Sequence, residues 1–217
     1  MKNLLNKELR LATSPLAWVF LAAAMMAFLP GYPILMGAFF IGLGIFQSFQ
    51  AARESNDILY TALLPVPKRD AVLAKYLSVC FFQILGFAMM TAVTVVRMTL
   101  LKDAAVYRTN ALMNASPVFL AFALLIFTAF NVCFLGGFFK TAHAIGVPFL
   151  TYGAATLLLV GVGESLHFFP GLRFLNAPGG ERLGLQFCVL AVAACVYALL
   201  TALSCRASMR RFERIDL

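Results

Sequence analysis

Apolar stretches close to twenty residues long recur along this chain between short polar connections, and that alternation most constrains its fold. A helix that crosses a bilayer needs about 20 mostly apolar residues, because it rises only about 1.5 Å per residue and hydrocarbon offers its backbone no partners. Six stretches qualify, at about 15–29, 34–52, 76–96, 117–137, 144–163 and 183–205; the first is shorter than a full span. The sequence PGYP, Pro30 to Pro33, reads as a tight turn joining the first two as an antiparallel hairpin. Composition agrees: 62% of the 217 residues are hydrophobic and 12% charged, and the mean hydropathy is +0.90. Soluble domains run at roughly half apolar and a quarter charged. The expected fold is an all-α polytopic membrane protein, a single domain over 1–217 with six transmembrane helices.

The net charge of +8 would suggest nucleic acid in a soluble protein, but here the cations fall between the apolar stretches and report topology. One side collects twelve: Lys2, Lys7, Arg10, Arg53, Lys68, Arg69, Lys75, Lys140, Arg206, Arg210, Arg211 and Arg214. The other holds five: Arg97, Lys102, Arg108, Arg173 and Arg182. The excess places both termini in the cytoplasm. Ahead of the first stretch, Leu4, Leu5, Leu9 and Ala12 recur at helical spacing opposite Lys2, Asn6, Lys7 and Arg10. That pattern predicts an amphipathic interfacial helix over 1–13, and the absence of a small-x-small cleavage site predicts that it is retained. On the outer side, a short helix is expected around Ala104 to Met113, and Glu164 to Arg182 reads as an aromatic interfacial segment and turn.

Catalytic constellations are missing from the pattern. Gly136-Gly137-Phe138-Phe139-Lys140-Thr141 lacks the glycine directly before lysine that a phosphate loop needs, and GVGESL lacks the third glycine of a dinucleotide fingerprint. Glu164 and His167 stand three apart, at metal-ligand spacing, but no second such pair exists and His143 falls on the opposite side. Cys80, Cys133, Cys188, Cys195 and Cys205 form no C-x-x-C pair and read as small buried apolar residues. No cofactor or metal is expected in this chain.

Polar residues inside the stretches are few: Gln47, Gln50, Gln83, Thr91, Thr94, Asn131 and Tyr152. In hydrocarbon they should face other helices or an aqueous path. No Asp or Glu lies mid-span, which argues against an ion-coupled carrier. Phe39, Phe46, Gln47, Gln83 and Asn131 are the candidates to line a translocation path, which the phenylalanines would suit to an apolar or amphipathic cargo.

The longest internal connection, residues 53–75, departs most from the surrounding pattern. In RESNDILYTALL, Ile58, Leu59, Ala62 and Leu63 follow helical spacing, with Glu54 and Asp57 near the start where acids suit the helix dipole. Leu64 and Val66 each precede a proline, which forces an extended corner at Pro65–Pro67. Pro67 then opens a new helix with Lys68, Arg69 and Asp70 in its first turn. A surface helix, a rigid bend and a cationic entry to the third stretch result.

The run from Glu54 through LLPVPKRDAVLAKYL resembles the signature of bacterial type 2 ABC transporter permeases, in which an acidic residue precedes Leu-Pro-Val, a basic pair and Lys-Tyr-Leu. It is most similar to the small six-span branch that exports amphipathic peptides and antimicrobial toxins such as phenol-soluble modulins. The ending SMRRFERIDL is similar to that branch's tail, which extends the resemblance over the whole chain. The resemblance implies a multi-pass protein of the bacterial cytoplasmic membrane. It implies a homo- or heterodimer of permeases, each copy seated on a separate ATP-binding cassette subunit that holds ATP and magnesium. It makes the connection between spans two and three a coupling helix, with Glu54, Asp57, Leu59, Leu63 and Leu64 at the ATPase contact and Pro65, Pro67, Lys68, Arg69 and Asp70 fixing its angle. Pro67 stands where the family often has Ser or Thr, so a hydroxyl cap is lost while the bend is kept. Two alternatives stay open at this stage: the six-span substrate-binding component of an energy-coupled vitamin importer, and a membrane hydrolase built on Glu164, His167 and His143.

Overall fold

The computed structural model describes residues 2–63, 65–108, 112–166, 168–169, 171–172, 175 and 182–215. Every regular element among them is helical. α1 (Lys2–Lys7) widens into a π-helical turn, Glu8–Ala12. Ser14 then caps α2 (Pro15–Phe20), accepting a hydrogen bond from the Leu16 N–H, and Pro15 supplies the fixed φ that suits a first helical turn. The break bends the chain by 86° between Asn3–Ala12 and Pro15–Phe28. α2 tightens into a 3-10 helix, Leu21–Phe28, an unusually long run of eight residues. At about 2.0 Å per residue, 3-10 geometry carries a short sequence further than an α-helix would. The chain reverses at Gly31, whose φ of +72° only glycine adopts freely.

α3 (Met36–Glu54) and α4 (Asp57–Leu63) follow, separated by Asn56 in the left-handed region. α5 (Lys68–Thr99) is 32 residues long, about 48 Å, which exceeds a hydrocarbon thickness of about 30 Å. A helix, α6 (Ala105–Arg108), lies within the expected range of about 104–113, of which residues 109–111 are outside the described residues. α7 (Pro117–Ala129) runs through a π-helical segment, Phe130–Leu135, into α8 (Gly136–Phe138). α9 (Gly146–Ser165) and α10 (Leu183–Phe212) complete the fold.

By length and composition, four helical stretches suffice to cross a membrane: Lys68–Thr99, Pro117–Phe138, Gly146–Ser165 and Leu183–Phe212; counting the bent N-terminal pair makes five. The sequence reading has six such stretches, and this criterion supports four or five of them. α3 falls short because its last turns carry Gln47, Ser48, Gln50, Arg53 and Glu54, and the first stretch, helical over Pro15–Phe28, is too short to cross by itself.

The α7 stretch is the axis of the bundle, with 72% of its most apolar window buried, against 28% for α9 and 11% for α10. Phe119, Phe127, Phe130 and Phe134 are fully enclosed. Phe46 stacks on Phe149 with ring centroids 3.9 Å apart, and Phe39 stacks on Tyr152. A Cβ on Gly42 would lie 2.3 Å from the Tyr152 hydroxyl, so only glycine lets α3 come this close to α9. The cysteines depart from expectation. Cys205 is buried and Cys80 and Cys133 are half-buried, but Cys188 and Cys195 are exposed on α10, because α10 packs by a narrow stripe.

Candidate functional site

The polar chemistry gathers at two places. The first lies at the end of the bundle that carries α1, α4, the start of α5 and the end of α10. Asn56 turns the chain so that the first turn of α4 folds back on the bundle, and the Asp57 carboxylate receives Lys7 at 2.5 Å and Lys75 at 3.1 Å. Lys75 also donates to Glu8 at 2.7 Å, and Lys7 lies 3.3 Å from the other Glu8 oxygen. The Lys7 ammonium further donates to the Thr61 hydroxyl at 2.6 Å, which in turn donates to the Asp57 carbonyl at 2.7 Å. Two cations and two anions thus close a neutral ring that ties α1, α4 and α5 together. Glu8 and Lys75 side chains are only 5% and 9% exposed, and charges so enclosed are tolerated because each has partners of opposite sign. Burial alone would push the Asp57 carboxyl up, but Lys75 and Lys7 outweigh it and hold it below the ordinary value.

Next to this ring the C-terminal segment clasps the start of α5. Lys68 donates to the Ile215 carbonyl at 2.7 Å, and Arg69 pairs with Glu213 through both its Nε and Nη2. Pro67 caps α5 with no side-chain hydrogen bond, its carbonyl accepting from Asp70 N–H at 2.9 Å. The bend is kept without a hydroxyl.

The second place lies within the bundle. Gln83 on α5 and Asn131 in the π segment exchange reciprocal amide hydrogen bonds at 2.9 and 3.0 Å. From α10, Thr201 accepts from Asn131 at 2.9 Å and Tyr197 donates to Gln83 at 2.9 Å. The wide π turn leaves the Asn131 carbonyl able to accept from Ser204 at 2.8 Å, while the Tyr76 hydroxyl bridges Ser204 and Ser208 at 2.9 Å each. Neutral polar groups here are matched to one another, as hydrocarbon demands.

The residues singled out in the sequence are distributed unevenly over this geometry. Glu54, Pro65 and Pro67 are exposed, Asp70 is half-buried, and Leu63 projects from α4 with 82% exposure. Asp57 faces inward to the ring. Leu59 lies in α4 but its side chain, like Leu64 as a whole, is outside the described residues. Of the path candidates, Gln83 and Asn131 are buried in the amide network, Phe46 is buried in the aromatic core, and Phe39 and Gln47 are half-buried. Glu164 accepts the Met113 N–H at 2.7 Å and so pins the segment ahead of α7 to α9. A 20-residue helix, about 30 Å, separates it from His143, and His167 lies outside the described residues. Among the described residues no group of three or more His, Cys, Asp or Glu could hold a metal.

Sequence reasoning missed Glu8 as the partner of Lys75. The signal was there: Glu8 stands four residues after Leu4, in line with the apolar stripe of the N-terminal helical segment, where an acid needs a partner. It also missed Arg97, which is buried at the far end of α5, donates to the Ala27 carbonyl at 2.7 Å and lies 4.0 Å from the Tyr107 ring.

A long-helix bundle with neutral polar contacts at depth and a closed ring of charges at one end defines a multi-pass membrane protein. The family of ABC-2 family transporter proteins matches residues 3–212, nearly the whole chain, and the chain belongs to that family. It is the membrane component of an ABC-2 type transporter, a non-catalytic transmembrane subunit of the kind that pairs with ATP-binding cassette subunits. No match is found among curated proteins or among solved structures.

Proposed function

We propose that the chain is the permease of an ATP-driven exporter of the bacterial cytoplasmic membrane, moving amphipathic or hydrophobic peptides, or other amphiphiles, between two permease copies. In this reading it crosses the membrane six times with both termini in the cytoplasm. α2 with its 3-10 extension, and α3, then complete the set begun by the four long helices. α4 is the coupling helix. The observation that carries this assignment is the way α4 is mounted: Asp57 and Thr61 anchor it inward to Lys7 and Lys75, while Tyr60 and Leu63 stand 68% and 82% exposed on a helix that lies outside the candidate membrane spans. An apolar knob on a short, ion-paired helix suits a groove on a partner ATPase. Closure of the ATPase pair would push on α4, and the ring would pass the push to α1 and α5.

The experiment co-purifies the chain with its ATP-binding subunit and measures both capture of that subunit and export of an amphipathic peptide from vesicles. Leu63→Asp is expected to abolish capture. Pro65→Gly combined with Pro67→Gly is expected to retain capture but lose export. Wild-type capture and export in both variants would overturn the assignment.

A further inference from the structure

Between the π segment, the start of α9 and the last turns of α10 the surface opens into a groove of about 650 Å³. Val132, Val147, Leu200 and Leu203 give it apolar walls, and Lys140 and Arg211 also line it. Lys7, Lys75 and Arg69 are ion-paired, whereas neither Lys140 nor Arg211 has a carboxylate partner among the described residues. Arg211 spends one guanidinium nitrogen on the Gly136 carbonyl at 3.1 Å, which fixes it in place and leaves other donors available. The groove also meets the first turn of α9 at Val147 and Pro148, the positive end of a 20-residue helix. Two unpaired cations and a helix N-terminus therefore converge at one apolar groove.

The position along α10 specifies the ligand further. Leu200 and Leu203 belong to its apolar stretch, while Arg211 stands among Arg206, Arg210 and Arg214, where the helix turns basic. The walls thus lie at acyl-chain depth and the cations at headgroup depth, about two to three turns apart along α10.

We propose that this groove binds an anionic phospholipid from the leaflet on the side that carries the chain termini. Its phosphate sits between Lys140 and Arg211, and an acyl chain lies along Leu203 and Val132. The site is separate from the ion ring and does not depend on the coupling role of α4.

The test places a fluorescent reporter in the groove. Trp18, the single tryptophan, is replaced by phenylalanine, and Leu203→Trp or Leu200→Trp supplies the reporter in the full chain. The protein is reconstituted in mixed phosphatidylcholine–phosphatidylglycerol vesicles in which one lipid or the other carries brominated acyl chains. Brominated phosphatidylglycerol is expected to quench the reporter with several-fold preference. Lys140→Gln should reduce that preference roughly fivefold, the effect of about one cation near an anionic surface. Arg211→Gln should do likewise, and Trp18 fluorescence in the otherwise unaltered chain carrying Lys140→Gln checks that folding is retained. Equal quenching by the two lipids, or a preference unchanged by Lys140→Gln, would overturn the proposal. Quenching by neither would also overturn it, showing that a protein surface, such as a second copy of the chain, covers the groove.

Discussion

The two polar assemblies of this bundle solve the same problem with different materials. At the end bearing the termini, Lys7, Glu8, Asp57 and Lys75 join three helices by full charges. About two turns further along α5, Gln83 joins three helices through Asn131, Tyr197 and Thr201 with no formal charge at all. Both are closed networks, so neither leaves its members exposed to hydrocarbon. The difference shows how steeply the cost of charge rises with depth: a neutral ring of ions is affordable near water, whereas only amides and hydroxyls are used within the bundle. It also divides the two by what can disturb them. The ion ring responds to protons and salt; the amide network responds to the spacing of its helices.

Breaking the ring at its hub should have the largest effect. Lys75→Met strands Glu8 and Asp57 with only Lys7 between them, and should cost about 3 kcal/mol, measured by thermal unfolding in detergent. Adding Glu8→Gln should recover part of that loss, since one stranded carboxylate is then gone. Asn131→Leu comes next, at about 2 kcal/mol, because it leaves Gln83 and Thr201 without their amide partner in an apolar setting. Pairing it with Gln83→Leu should cost less than the two single changes together, the mark of a reciprocal bond.

Acid sharpens the contrast further. Asp57 has a lowered native value, so its contribution is fully present above the ordinary carboxylate value of 3.8 and is lost as pH falls from there through the lowered native value. Unfolding midpoints followed against pH should show this acid limb, and Asp57→Asn should flatten it. The neutral amide network supplies no such limb. Smallest of all, Arg69→Gln removes the exposed pair with Glu213 and should leave the unfolding midpoint within experimental error.

Much of this was legible in the residues. The helices Pro117–Phe138 and Leu183–Phe212 begin next to local signals in the sequence, Ser116-Pro117 for the first and the Ala177-Pro178-Gly179-Gly180 run ahead of the second. The bend at Pro65–Pro67 and the helix beginning at Lys68 follow from proline's own geometry. What escaped was pairing at a distance. Lys75 looks like one more topological cation, and Asp57 like an acid serving its own helix dipole; only packing brings them within 3.1 Å. The change from α-helix to 3-10 at Leu21 and to π at Phe130 also has no local signature, since hydropathy reads the same in all three. Finally, Phe39 and Phe46 were read as path candidates by residue type, whereas their ring partners Tyr152 and Phe149 come from a helix more than a hundred positions away.

α5 runs from Lys68 to Thr99 without a proline or a break, so it moves as one rod. Lys75 stands about 12 Å from Gln83 along that rod, and Arg97 about 21 Å from Gln83 in the other direction. With the amide network as fulcrum, the two arms are unequal. A tilt that shifts the ion ring by 1 unit of distance would swing the Arg97 end by nearly twice as much in the opposite sense, carrying the last carbonyls of the first hairpin arm with it. In the proposed coupling, this asymmetry would make α5 a lever that turns a small stroke at the charged end into a larger one at its Arg97 end.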